Sequence, residues 1–114
     1  MSGNTGIRTV SDGSVVIKKV VDLEQGDLLQ GRDATLNLVD TCEVLHVTEW
    51  GTGPLYGNYT SNHFMLNLAT SPPTVVEHGN DGTFTIEKKY TVLTSCPMAM
   101  DESGKVLLAY RRGH

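Results

Sequence analysis

The chain carries little charge. Asp, Glu, Lys and Arg make up 19% of its 114 residues, and the formal net charge is −4. Basic residues are scattered apart from Lys18-Lys19, Lys88-Lys89 and Arg111-Arg112, so there is no positive face of the kind phosphate backbones require, and nucleic acid is not expected as a partner. No apolar run approaches the ~20 residues that span a bilayer, which argues against a membrane partner. The opening residues, Met1-Ser2-Gly3-Asn4-Thr5-Gly6, lack the basic and apolar regions of a secretory signal. Cysteine is scarce too. Cys42 and Cys96 lie far apart without Cys-x-x-Cys spacing, which suggests neither a zinc ribbon nor a thioredoxin-like site. Two unclustered cysteines are expected as buried free thiols in a reducing, cytoplasmic compartment, a disulfide being the other state open to them.

Also missing is any amphipathic helix; a helical turn near Leu23 or Met98 is the most that the pattern allows. What is present is β-branched and aromatic sequence broken by turn signals every ~8–12 residues, which predicts an all-β fold. Residues 7–10 and 15–21 flank Asp12-Gly13, the strongest short hairpin signal. Gly26 suits a left-handed backbone position before a strand leaving at Asp27. Residues 35–39 and 42–50 alternate apolar and polar side chains, and Trp50 is expected to anchor the core. Gly51-Thr52-Gly53-Pro54 reads as a turn. Ser71-Pro72-Pro73 ends a strand. Residues 74–76 and 83–86 flank Glu77-His78-Gly79-Asn80-Asp81-Gly82 and read as a second hairpin with His78 in an exposed turn. Strands are expected again at 90–94 and 105–110, separated by Pro97 and a solvated turn at Asp101-Glu102-Ser103-Gly104. A chain of this length makes one domain, residues 1–114, expected as a monomer.

The most informative stretch is 58–66. Its aromatic and aliphatic residues predict a strand ending near Thr60, a tight turn at Ser61-Asn62 and a strand from His63, so that Thr60 and His63 face each other across the turn. A hydroxyl and an imidazole held this way grip one carbonyl or one departing amine, which is what an acyl shift at a peptide bond needs. The plainer reading is a histidine that caps a turn with its ring bonded to backbone.

Three stretches in this order resemble the Hint module, the fold of hedgehog autoprocessing domains and inteins. Thr5-Gly6-Ile7 before Asp12-Gly13-Ser14 is similar to the first family block. Val20-Val21-Asp22-Leu23-Glu24-Gln25-Gly26-Asp27-Leu28-Leu29-Gln30-Gly31 is similar to the "dL..GD.V.G" segment that follows it. Thr60-Ser61-Asn62-His63 resembles the Thr-x-x-His block. The stretch from Trp50-Gly51-Thr52-Gly53-Pro54 to Thr60 resembles the branch found beside von Willebrand type A modules.

The resemblance implies a compact, pseudo-symmetric fold of short strands and hairpins, excised from a longer protein. It also implies an N-to-S acyl shift, in which a thiol attacks the preceding peptide carbonyl and the resulting ester is cleaved. Thr60 would hydrogen-bond the scissile peptide, and His63 would polarise it and protonate the departing amine. The substrate is the chain's own upstream polypeptide, and no cofactor or metal is implied. Three departures matter: the later family segment with a strand, a histidine and a glycine turn is only partly echoed from Tyr90 to Val106, and two others bear on the chemistry. The family nucleophile, a cysteine about five residues before the block threonine, would fall immediately before Met1, so the chain as it stands is expected to be inactive. The sequence ends Arg111-Arg112-Gly113-His114, without the family's terminal asparagine, so splicing is not expected.

Two other classes compete. A non-catalytic β-rich interaction or structural domain is compatible with the missing nucleophile and asparagine. A metal site would draw on Cys42, His46, His63, His78 and Cys96, but their spacings match no known ligand framework.

Overall fold

A computed structural model describes residues 1–80 and 82–108. It is all-β, as the turn spacing predicts. Among the described residues, nine strands follow in chain order: β1 Gly6–Ser11, β2 Ser14–Lys19, β3 Leu28–Arg32, β4 Leu38–Leu55, β5 Phe64–Asn67, β6 Thr74–Glu77, β7 Thr85–Thr94, β8 Met98–Met100 and β9 Val106–Leu108. Among the described residues the only helical element is a single 3-10 turn at Val20–Asp22, beside Leu23 where a helical turn was allowed. At Met98 there is none. That segment is strand β8, paired with β3 and β9.

Strands β2, β1, β3, β8, β9, β5 and β6 lie side by side in that order, and every pairing is antiparallel. Asp12 (φ 51°) and Gly13 (φ 79°) both take left-handed conformations. That is the requirement of a two-residue turn whose twist matches its flanking strands, and β1 and β2 pair from Gly6↔Lys19 down to Ser11↔Ser14. Strand β4 crosses between two neighbours, lying against β3 over its first residues and then against β7 from Val44 to Leu55.

Three strand-level expectations are corrected. Gly51-Thr52-Gly53-Pro54 is not a turn but the end of β4. The pairing with β7 shifts register between Glu49 and Thr52, and Gly51 takes φ 89°, so a bulge absorbs the glycine and the strand continues. Pro54 is tolerated because this part of β4 pairs only with β7, leaving one side without ladder bonds to lose. The strand before Thr60 accordingly ends at Leu55, followed by a tight Tyr56↔Tyr59 bridge. Residues 74–86 do not form a hairpin. Strand β6 pairs with β5, and β7 pairs with β4, so the intervening residues connect two different partners.

The core gathers Ile7, Val20, Leu29, Cys42, Val44, Tyr59, Val92 and Leu107, with Met1 packed among them. Trp50 is not in it. Half exposed at 50%, it sits at the bulge of β4 and not in the interior. Gly31 shows how closely β3, β4 and β8 approach: a Cβ there would run into the Met98 carbonyl and lie 2.8 Å from Cys42 Sγ.

The cysteines are also corrected. Cys42 and Cys96 are joined in a disulfide with Cα atoms 5.2 Å apart. Pairing of β4 with β7 is what carries them together, since Val44 lies opposite Thr94 and Ser95 N–H donates to Glu43 O. The two residues are separated by 54 positions, and closing a loop of that size stabilises a fold by about 2–4 kcal/mol through the unfolded chain. Reduction, or the double replacement of Cys42 and Cys96 by serine, is expected to lower stability by that amount in a urea titration. An unchanged midpoint would show that the bridge contributes nothing.

Candidate functional site

The turn expected at Ser61-Asn62 is present. His63 N–H donates to Thr60 O at 3.1 Å, and β5 starts at the next residue. Thr60 and His63 are thus brought together at a hinge between the Tyr56↔Tyr59 bridge and β5. The beginning of the chain runs alongside, with Ser2 N–H donating to Asn58 O at 2.7 Å, two residues before Thr60. Ser2 is itself buried, and its hydroxyl donates to Glu87 Oε1 at 3.0 Å. Met1 exchanges backbone bonds with Tyr90 in both directions, at 2.8 Å each.

The side chain between these pieces is Tyr59. The residue is 2% exposed, and two imidazoles pack on its ring, His63 at 5.2 Å and His78 at 5.3 Å between ring centroids. Each distance is that of a favourable aromatic pair, worth about 0.5–1.5 kcal/mol. Lys105 Nζ stands 5.8 Å from the same ring, within reach of its negative face. The hydroxyl donates to Asp101 Oδ2 at 2.5 Å.

The sequence places Asp101 in a solvated turn, and the structure buries it instead. It is 5% exposed. A carboxylate survives burial only when its oxygens are satisfied, and here the second oxygen, Oδ1, accepts from Ser103 N–H, Ser103 Oγ and Lys105 N–H, at 2.7–2.9 Å. These bonds shape the β8–β9 turn, which reaches the start of the chain through Glu102 N–H donating to Gly6 O at 2.9 Å.

His78 is likewise not an exposed turn residue. Its Nε2 lies 2.6 Å from Tyr56 O, and since a carbonyl only accepts, that nitrogen carries the proton. Its backbone N–H donates to His63 O at 2.8 Å, and the next residue, Gly79, donates to Ser61 O at 2.8 Å. Residues 56–63 are therefore clamped by three bonds from 78–79. His78 is thus a histidine bonded through its ring to backbone.

Sequence reasoning singles out Thr60 and His63 and gives no place beside their turn to Tyr59, His78 or Asp101, which the structure brings there. The only local signal for Asp101 was Asp-x-Ser-Gly, in which an aspartate side chain accepts from the residue two positions on. Nothing local reports on His78. Among the described residues no group of three or more His, Cys, Asp or Glu side chains could hold a metal ion, and the disulfide removes both thiols as ligands. No helix among them is long and apolar enough to cross a membrane. The segment Arg111-Arg112-Gly113-His114 lies outside the described residues.

Burial first, and then the Asp101 carboxylate, push the Tyr59 phenol well above its ordinary value of 10.0. A raised pKa in the fold means that the stabilisation is complete below the unfolded value and is lost as pH rises beyond it. Stability is therefore expected to decline above about pH 10, and in Tyr59→Phe that part of the decline should vanish. At neutral pH the same variant should cost about 1–3 kcal/mol, because the buried carboxylate loses a donor. Denaturant titrations of both proteins across that pH range measure both effects; identical pH profiles would contradict the assignment. The chain matches no protein-family model, no curated protein and no solved structure, so the site stands on this geometry and on its motifs.

Proposed function

We propose that this chain is a Hint-type autoprocessing module whose reacting peptide bond lies just upstream of Met1. The observation that carries the reading is the bond from Ser2 N–H to Asn58 O. It runs the start of the chain beside the turn that bears Thr60 and His63, the residues that the family motif assigns to the chemistry.

In this reaction the thiolate of a cysteine joined to Met1 attacks the carbonyl carbon of the residue before it. A C–S bond forms as the C–N bond breaks, and the nitrogen leaves as an amine after taking a proton. His63 supplies that proton, and Thr60 holds the peptide being broken. The thioester then passes its acyl group to water or to another nucleophile. Each of the two roles is worth about two to four orders of magnitude in rate. Burial of the neighbouring wall by Tyr59 supports the scheme, since fixed donors act more strongly where water is excluded.

The test is a chain extended upstream of Met1 by a cysteine and a reporter domain. Hydroxylamine is the nucleophile to add, because it cleaves thioesters and leaves the Cys42–Cys96 bridge intact. The reporter should be released as its hydroxamate, with release slowed at least ~10²-fold in His63→Ala and in Thr60→Ala. If the parent is not cleaved, or if His63→Ala is cleaved as fast, the module is not of this kind.

A further inference from the structure

We propose that Asp101, acting through Tyr59, and His78 are positioning residues that fix the His63 imidazole for proton transfer; the functional part of this rests on the autoprocessing reading. None of the three belongs to the Thr-x-x-His motif. They reach it from the β8–β9 turn, from the residue beside Thr60 and from the end of β6.

The geometry is a chain of constraints. Asp101 is held by Ser103 and Lys105 through one carboxylate oxygen and binds the Tyr59 hydroxyl through the other. That bond fixes where the far end of the tyrosine lies, and core packing holds the rest of the buried ring. The ring forms one wall for the His63 imidazole, at an interplanar angle of 44°. His78 packs on the same ring at 65°. It also clamps the backbone on both sides of the turn, through its ring to Tyr56 O and through its N–H to His63 O. Thus hydrogen bonds hold the backbone of His63 while the Tyr59 ring packs against its imidazole, and both constraints converge on one side chain. A general acid must meet the departing nitrogen within hydrogen-bond reach, and a displacement of about 1 Å costs about a hundredfold in rate.

Positioning differs from mere stability in what it moves. In the unextended chain, the carbon-bound imidazole protons of His63 should show the ring-current shift of the adjacent Tyr59, and Tyr59→Leu should abolish it. In the extended chain, Tyr59→Phe and Asp101→Asn should each slow hydroxylamine cleavage by about ten- to a hundredfold and move the His63 resonances. His78→Ala should do the same, whereas His78→Gln, which keeps a donor near Tyr56 O, should restore most of the rate. Tyr59→Phe removes a single oxygen and serves as the decisive variant should Asp101→Asn fail to fold.

Parental cleavage rates in Tyr59→Phe and His78→Ala, with His63→Ala inactive, would overturn the positioning inference and leave the autoprocessing reading standing. Slowed cleavage with unmoved His63 resonances would overturn it as well. Full cleavage in His63→Ala would instead remove the autoprocessing reading and this proposal's functional half with it, and the ring-current shift would then decide the geometry alone.

Discussion

The bond between the Tyr59 hydroxyl and the Asp101 carboxylate is the constraint on which the arrangement around the turn depends. A buried carboxylate is tolerable only when donors surround it. Asp101 has them: a phenol, a serine hydroxyl and two backbone N–H groups. Satisfying the charge dictates the path of the β8–β9 turn, and the turn in turn presents Glu102 N–H to Gly6 O. One acid thereby links the last hairpin to the first strand and to the middle of the chain. The buried acid and the buried phenol each supply the partner that the other needs.

Around this point the sheet brings together segments distant in sequence. Strand β5 lies between β6 and β9, so the end of β6 delivers His78 on one side while the β8–β9 turn delivers Asp101. The beginning of the chain is drawn in by separate bonds, from Ser2 to Asn58 and between Met1 and Tyr90. Since Tyr90 belongs to β7, whose partner β4 leads directly into the Tyr56↔Tyr59 bridge, both attachments act on the same ribbon. The Cys42–Cys96 bridge closes the far end of that ribbon, where β4 leaves β3 for β7. It adds a covalent limit on how far β7 and the following β8 can part from β4.

What was legible in the sequence was local. Asp12-Gly13 sets two left-handed residues and therefore a hairpin, and Ser61-Asn62 sets a turn because short polar side chains accommodate it. Pairing between strands is not local information. The turn signals from 77 to 82 are real, but they do not say whether the flanking strands pair with each other, and here they pair with β5 and β4. Gly51 looked like a breaker because a bulge and a turn draw on the same left-handed backbone conformation. Asp101 looked solvated because acids usually are. Its burial follows from a tyrosine 42 positions away that no sequence window contains. The disulfide was hidden for the same reason, since spacing gives no Cα separation until β4 and β7 are paired.

The electrostatics at Met1 follow from the same requirement that buried polar groups be satisfied. Its amino group donates to Tyr90 O at 2.8 Å, and burial, with Lys89 adding repulsion, lowers its pKa from 8.0 to about 6. The uncharged amine suits that setting better than the ammonium, since the same carbonyl accepts from either and only the ammonium has a charge to desolvate. The bond between Ser2 and Asn58 fixes the register of the next residue, so the two attachments hold consecutive residues against different partners, Tyr90 of β7 and the segment before the turn at Ser61-Asn62.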